Sequence, residues 1–261
     1  MNGRDCPDRP RLVLIHGWAQ HAGIWQTWCD QLAPIADIAA VNLPGHGGMP
    51  WNHSIRSLDA LADSVLPALE QPASVCGWSL GGMIAMNLAR RYPARVTRLV
   101  LCNTTPRFVA SHDWIHAVQP SLLDGFRRHV TENPERVLRD FLSLQLRGES
   151  DSRQTLDLLR SALTEHKRPR RAALEFTLGL LARTDLRESL ASIAQPALVI
   201  ASDADAITPV AAGDYLGRHL PVARFLTLSG CGHAGFLSRP ERLLAELDEF
   251  LGGEGVQEMA S

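Results

Sequence analysis

The feature that most constrains the fold is a glycine-flanked serine, Gly77-Trp-Ser79-Leu-Gly81, between a predicted strand at residues 73–76 and a predicted helix at residues 80–91. A chain that turns directly from a strand into a helix holds the residue at the turn in a strained backbone conformation. Glycine on both sides leaves room for the turn. The pattern predicts a nucleophilic serine at the carboxyl edge of a sheet; the alternative is a structural turn whose serine caps the helix.

Short aliphatic runs alternate with helical segments on both sides of this serine, which is typical of βαβ units around a parallel sheet. We therefore predict an α/β fold with a mostly parallel, doubly wound sheet. The predicted strands are residues 11–15, 38–42, 73–76, 96–102, 197–202 and 223–228. The predicted helices that accompany them are residues 25–33, 58–69, 80–91, 211–220 and 241–251.

Between residues 109 and 185 the pattern changes. Apolar residues recur there at helical spacing, as in residues 134–146, and no run has the character of a strand. We predict that residues 1–108 and 186–261 form one α/β core and that residues 109–185 form a helical cap, or lid. The few residues before Leu12 leave little room for an antiparallel hairpin at the edge of the sheet.

The composition argues against several classes of protein. A formal net charge of −2 offers no general attraction to nucleic acid or to an anionic membrane, and no apolar run is long enough to span a bilayer. The five cysteines are odd in number and include no C-x-x-C pair, which argues against a disulfide framework or a zinc site. We expect a cytoplasmic, monomeric protein with reduced thiols and without metal or cofactor.

A serine hydroxyl needs a base that accepts its proton, and His233 is the candidate. It lies in a glycine-rich loop after the last predicted strand, which gives the chain order serine, acid, histidine. Two aspartates, Asp203 and Asp205, follow the strand at residues 197–202, and either could reach the histidine. We favour Asp205 as the acid that orients the imidazole, and we expect Asp203 to bracket the turn.

An ester hydrolase also needs donors for the oxyanion that forms on the substrate. The backbone N–H of Leu80 follows the serine at the start of a helix, and Trp18 ends the His16-Gly17-Trp18 segment after the first strand. We predict that the Trp18 and Leu80 N–H groups form the oxyanion hole. The Trp18 side chain could also line the substrate pocket.

Several motifs together resemble the α/β-hydrolase superfamily across the whole chain. They are His16-Gly-Trp18, Leu43-Pro-Gly-His-Gly47, Gly77-Trp-Ser-Leu-Gly81, Asp205-Ala-Ile-Thr-Pro209 and Gly232-His233. More narrowly, the tryptophan before the serine and the run Arg139-Asp-Phe141-Leu-Ser-Leu-Gln145 are similar to the pimeloyl-[acyl-carrier protein] methyl ester carboxylesterases of biotin synthesis.

The narrower resemblance implies a serine carboxylesterase that removes the methyl group from a pimeloyl chain on acyl carrier protein. It implies Ser79, Asp205 and His233 as the catalytic triad. It implies Arg136 and Arg153 as contacts to the carrier, although other matching positions, Asp140 and Asp157, are acidic here. The substrate-contacting positions that it implies are Trp18, Ser79, Leu80, Phe141, Leu142, Ser143, Leu144, Gln145 and His233.

Three other functions remain open on the sequence alone. The same residues could hydrolyse other small-molecule esters, as a general short-chain carboxylesterase does. They could also serve a C–C bond hydrolase or lyase, or a ligand receptor that retains the triad. An epoxide hydrolase or a dehalogenase is disfavoured, because those enzymes need a carboxylate where this chain has Ser79.

Overall fold

The computed structural model describes residues 9–149, 152–161 and 168–252. Its centre is a sheet of six parallel strands in the order β2-β1-β3-β4-β5-β6. The strands are β1 (Arg11–Ile15), β2 (Asp37–Val41), β3 (Ala73–Trp78), β4 (Val96–Cys102), β5 (Ala197–Ser202) and β6 (Ala223–Leu228). The predicted α/β fold with a parallel, doubly wound sheet is confirmed.

Helices cover both faces of this sheet. Alternate side chains of a strand point to opposite faces, so Val13 and Ile15 join one apolar cluster while Leu12 and Leu14 join the other. Burial on both faces explains why the inner strands β1 and β5 are nearly continuous aliphatic runs. The helices of the core are α1 (Gln26–Leu32), α2 (Leu58–Asp63), α3 (Leu80–Arg91), α8 (Val210–His219), α9 (Gly235–Ser238) and α10 (Pro240–Gly252).

Four helices lie between β4 and β5, namely α4 (Pro120–Glu132), α5 (Pro134–Gln145), α6 (Ser152–Ser161) and α7 (Arg171–Arg183). The described part of residues 109–185 has no strand, only isolated bridges. Arg107 pairs with Asp185 where the chain leaves and re-enters the core, and their side chains form an ion pair of 3.0 Å. This contact between the two ends of the helical segment supports the proposed division into a core and a cap.

One predicted helix is wrong in its length. Residues 58–69 do not form a single helix, because α2 ends at Asp63 and a separate 3-10 turn, Leu66–Leu69, follows it. Pro67 explains the break, since it has no N–H to donate to the carbonyl of Asp63. A 3-10 turn, Ala22–Trp25, also precedes α1, and β3 continues two residues beyond its predicted end.

The described cysteines, Cys29, Cys76, Cys102 and Cys231, are free thiols. Cys76 and Cys102 lie on adjacent strands with their sulfur atoms 3.9 Å apart, and burial raises the pKa of the Cys76 thiol well above its ordinary value. Cys6 lies outside the described residues. None of the described helices has both the length and the hydropathy that crossing a membrane requires.

Candidate active site

Ser79 occupies a strained turn between β3 and α3. Its backbone angles are φ 55° and ψ −117°, a conformation that costs a residue with a side chain about 1–3 kcal/mol. Two hydrogen bonds hold the turn: the Ser79 N–H donates to the carbonyl of Cys102 at 3.0 Å, and the Thr104 hydroxyl donates to the carbonyl of Ser79 at 2.6 Å. The end of β4 therefore fixes the backbone of the serine.

The glycines around Ser79 are required by close contacts between backbone segments. A Cβ atom on Gly77 would collide with the carbonyl oxygen of Gly81, and one on Gly81 would collide with that of Ile15 at the end of β1. One on Gly82 would lie against the side chain of Thr104. The start of α3 thus packs directly on the ends of β1 and β4, which no larger residue would permit.

His233 lies in the loop between β6 and α9, and its side chain is fully buried. Its imidazole Nδ1 lies 2.8 Å from Oδ2 of Asp205. Its backbone is held on both sides: the backbone N–H donates to the carbonyl of Gln145 at 3.0 Å, and the backbone carbonyl accepts the indole N–H of Trp78 at 2.9 Å. Since Trp78 directly precedes Ser79, this last bond joins the loop that carries His233, the histidine loop, to the strand-to-helix turn at residues 77–81, which we call the elbow.

The other imidazole nitrogen, Nε2 of His233, is buried and has no hydrogen-bond partner among the described residues. The contact with the Ser79 hydroxyl is therefore not made in this structure. Such contacts are often long in unliganded enzymes and tighten when substrate binds. Nε2 is the nitrogen of His233 that remains available to accept a proton.

Asp205 is buried with its carboxylate fully hydrogen-bonded. Oδ1 accepts the N–H groups of Ile207 at 2.7 Å and Thr208 at 2.9 Å. Oδ2 accepts the Thr208 hydroxyl at 2.7 Å and the Asn103 amide at 2.8 Å, besides His233. Burial opposes ionisation, but the imidazole and these donors outweigh it and hold the pKa of Asp205 below its ordinary value.

Asp203 has a different environment. Its side chain is exposed, and its Oδ1 accepts the N–H of Gly230 at 2.8 Å. The bond ties the end of β5 to the loop after β6. The structure therefore brings Asp205, and not Asp203, to the imidazole.

The turn after β1 lies against the serine. A Cβ atom on Gly17 would lie 3.3 Å from Cβ of Ser79, so the neighbouring Trp18 is at the elbow. The hydrogen bonds of the described backbone leave the N–H groups of Trp18 and Leu80 without an acceptor. Both predicted oxyanion donors thus lack a backbone acceptor; Leu80 directly follows Ser79, and Trp18 follows the glycine that packs against Ser79.

An apolar pocket lies between Trp18 and Ile207 on one side and the helices α4, α5 and α7 on the other. All eleven lining side chains are aliphatic or aromatic, so the pocket suits an uncharged, apolar part of a ligand. Trp18 and Phe141 form one wall, with their rings edge to face at 4.8 Å. The lining residues are Trp18, Phe108, Val118, Leu122, Leu123, Phe126, Phe141, Leu144, Leu178, Leu181 and Ile207.

The other predicted substrate contacts on α5 lie elsewhere. Leu142 and Ser143 line a groove on the opposite side of α5, towards α6. Gln145 is fully buried and contacts the site through its carbonyl, which accepts the His233 N–H. Trp114, between β4 and α4, packs against Tyr215 of α8 and does not line this pocket. Which way each of these side chains points depends on how its segment is rotated about its own axis, and the sequence pattern does not indicate that rotation.

Two other histidines of the core are unsuited to act as the base. His16 Nδ1 donates to the carbonyl of Gly17 at 2.8 Å, and its Nε2 accepts the N–H of Leu43 at 3.1 Å. His46 packs on it with ring centroids 5.2 Å apart, and burial lowers the pKa of His46 to about 4. Both rings support the turns around the site.

Three residues at the site were not predicted as functional: Asn103, Thr208 and Trp78. Thr208 lies in the Asp205–Pro209 motif, so its nearness to the acid could have been inferred. Asn103 and Trp78 reach residues far away in the chain, which local sequence does not indicate. Among the described residues, no group of three or more His, Cys, Asp or Glu side chains has the arrangement of a metal site.

Comparison with known proteins agrees with this geometry. Residues 10–240 match the model of the α/β-hydrolase fold family. The chain belongs to the α/β-hydrolase family.

Within this family, the chain is similar to proteins named pimeloyl-[acyl-carrier protein] methyl ester esterase. The protein from Nitrosomonas europaea is 38% identical over 92% of this chain and 94% of its own length. The protein from Aromatoleum aromaticum is 39% identical over 94% of this chain and all of its own length. The chain belongs to this narrower group as well.

Solved structures of other α/β-hydrolases have the same fold. An esterase from Exiguobacterium antarcticum superposes with a TM-score of 0.84 at 17% identity, covering 93% of this chain and 92% of that one. A hydrolase from Pseudomonas aeruginosa superposes with a TM-score of 0.80 at 25% identity, covering 95% and 92%.

The close packing at the elbow predicts the effect of adding one methyl group. Gly81→Ala should lower the free energy of unfolding by about 1–3 kcal/mol or more, because its Cβ meets backbone that cannot move aside. Gly125→Ala in α4 is the control, since no atom lies within 4 Å of its Cβ. It should stabilise the protein by about 0.5–1 kcal/mol. Urea unfolding measures both; equal midpoints for Gly81→Ala and the native protein would contradict the packing argument.

The surroundings of the two aspartates predict opposite results of matched substitutions. Asp205→Asn should lower kcat for p-nitrophenyl acetate on the order of 10⁴-fold, because an amide favours the wrong imidazole tautomer. Asp203→Asn should leave kcat nearly unchanged, since an amide oxygen can still accept the Gly230 N–H. The reverse ranking would transfer the acid role to Asp203.

Proposed function

We propose that this chain is a serine carboxylesterase that hydrolyses the methyl ester of pimeloyl-[acyl-carrier protein], giving pimeloyl-[acyl-carrier protein] and methanol in biotin synthesis. The observation that carries the proposal is the buried His233–Asp205 pair beside a strained Ser79. The similarity to relatives named for this reaction, across nearly the whole chain, supports the substrate.

In the proposed reaction, Ser79 attacks the ester carbonyl while Nε2 of His233 takes its proton. The N–H groups of Trp18 and Leu80 stabilise the tetrahedral oxyanion. The bond to the methoxy group then breaks, and His233 donates its proton so that methanol leaves. Water enters, His233 removes a proton from it, and hydrolysis of the acyl-enzyme frees the carboxylic acid and Ser79.

Asp205 keeps the proton of neutral His233 on Nδ1, which leaves Nε2 as the base. When His233 becomes positively charged, the buried carboxylate stabilises it. The donors around Asp205 are needed for this role, because a buried carboxylate without them would take up a proton.

The apolar pocket supports a substrate with a methylene chain. In the proposed reaction the ester group itself lies at Ser79 and the oxyanion donors, outside the pocket lining. The aliphatic and aromatic side chains of the pocket then suit the methylene chain that adjoins the ester.

We also propose that the carrier docks on the outer side of α5 and α6. Arg136 and Arg153 are exposed there, although Arg136 lies 3.7 Å from Asp140 one turn away. Arg139 and Arg160 line the adjacent groove, and neither has a carboxylate partner among the described residues. These cations offer an acidic carrier a positive surface near the substrate pocket.

The decisive experiment for the proposed function uses methyl pimeloyl attached to its carrier. The native protein should release methanol, and the mass of the carrier should fall by one CH₂ group while its thioester stays intact. Ser79→Ala should show no turnover and no acyl-enzyme by mass spectrometry, because the nucleophile is removed and the nearby Thr104 hydroxyl donates to the backbone carbonyl of residue 79. Circular dichroism verifies that this variant is folded.

Two outcomes would contradict the proposal. A burst of product from Ser79→Ala would exclude Ser79 as the nucleophile. Equal kcat/KM for the carrier-linked ester and for free methyl esters would leave a general carboxylesterase as the function.

Charge reversal tests the docking surface. The double variant Arg136→Glu/Arg153→Glu should lower kcat/KM for the carrier-linked ester about 3- to 10-fold at low salt, mainly through KM, and should spare p-nitrophenyl acetate. Arg218→Glu on α8 is the matched control, since Arg218 is also exposed and paired with an aspartate four residues away. An equal loss on both substrates would place the docking surface elsewhere.

A further inference from the structure

Asn103 is buried at the end of β4 in a conformation that few side chains adopt. It is fully inaccessible to solvent, and its φ of 41° lies in the left-handed region, which asparagine tolerates better than most residues. Its N–H donates to the carbonyl of Ile200 at 2.7 Å, which anchors it to β5. A buried amide in this conformation has a structural cost that its contacts must offset.

Asn103 and its two neighbours in the chain, Cys102 and Thr104, contact both halves of the candidate site. The carbonyl of Cys102 accepts the Ser79 N–H, and the Thr104 hydroxyl donates to the Ser79 carbonyl. Between them, Nδ2 of Asn103 donates to Oδ2 of Asp205 at 2.8 Å. The turn at Asn103 therefore joins the nucleophile backbone to the acid.

We propose that Asn103 is a positioning residue, whose amide holds the Asp205 carboxylate ionised and aimed at Nδ1 of His233. The inference rests on the proposed roles of Ser79, Asp205 and His233. It assigns to Asn103 an effect on catalysis that passes through Asp205 and not through contact with substrate.

The chemistry of an amide suits this role. The Nδ2 group donates without carrying charge and cannot lose its proton, so the negative charge stays on Asp205. The Ser202 hydroxyl contacts Oδ1 of Asn103 at 3.4 Å, which favours the orientation that points Nδ2 at the acid. Oδ2 of Asp205 then has three donors, namely Asn103, Thr208 and His233, which leave it little freedom to rotate.

Other carboxylates face the histidine loop but not this hydrogen bond. Glu149, after α5, accepts the N–H of Gly232, and Asp203 accepts that of Gly230. Both bind backbone on the outer side of the loop. They are unchanged by substitutions at Asn103, so the pH dependence of an Asn103 variant reports on Asp205 and His233.

The test is Asn103→Gly, because glycine accepts the positive φ and removes only the amide. With p-nitrophenyl acetate, kcat should fall about 10- to 100-fold, as expected for one hydrogen bond to a buried carboxylate, with little change in KM. The acid limb of the kcat/KM profile should move to higher pH, since a buried carboxylate with one donor fewer takes up a proton more readily and the triad then needs a higher pH to reach its active form. Asn103→Ala should behave alike, which separates the amide from the backbone conformation.

Two comparisons decide between positioning and a merely structural role. In an Asp205→Asn background the cost of Asn103→Gly should disappear; an undiminished cost there would overturn the proposal. Asp203→Asn, which changes a carboxylate that contacts the histidine loop but neither Asn103 nor Asp205, should keep the native pH profile. If the native protein hydrolyses the ester and Asn103→Gly matches it in kcat and pH profile, the inference is wrong. Absence of turnover by the native protein would instead refute the proposed function.

Discussion

The backbone of Ser79 has a positive φ, and the packing around the candidate site depends on this strained conformation being maintained. A residue with this strain relaxes unless its neighbours prevent it. Here β4 holds it through Cys102 and Thr104, while β1 lies so close to α3 that Gly81 cannot carry a side chain. The ends of three neighbouring strands therefore converge on one residue, and a parallel sheet is the architecture that places such ends at one edge.

A buried carboxylate is the second constraint, and aromatic packing helps to meet it. The loop that carries His233 rests on Phe236, whose ring packs against those of Trp25 and Trp78. Trp28 donates its indole N–H to the Phe236 carbonyl at 3.0 Å. Because this apolar base excludes water, the interaction between Asp205 and His233 is stronger than at an exposed surface. The same packing accounts for Trp78, the residue directly before Ser79, because its indole N–H donates to the carbonyl of His233.

The sequence predicted the six strands of the described sheet and the helical character of the segment between β4 and β5, because buried aliphatic runs and helical periodicity are local signals. It predicted the elbow for the same reason, since its glycines are within two residues of Ser79. It favoured Asp205 as the acid but left Asp203 open, because both follow β5 and only the folded loop shows that Asp203 binds Gly230. It also missed Asn103, whose partner is 102 residues away, and it could not predict which way Leu142 faces.

Helix α5 contacts both the apolar pocket and the loop of the candidate base. Its side chains Phe141 and Leu144 line the apolar pocket, and its last residue, Gln145, accepts the His233 N–H through its carbonyl. The position of α5 therefore bears on both the pocket wall and the placement of the histidine loop. Helix α4 has no such bond to His233, and its Leu122 lines the pocket while 39% exposed. The pocket therefore meets solvent at α4, on the helix that is not hydrogen-bonded to the histidine.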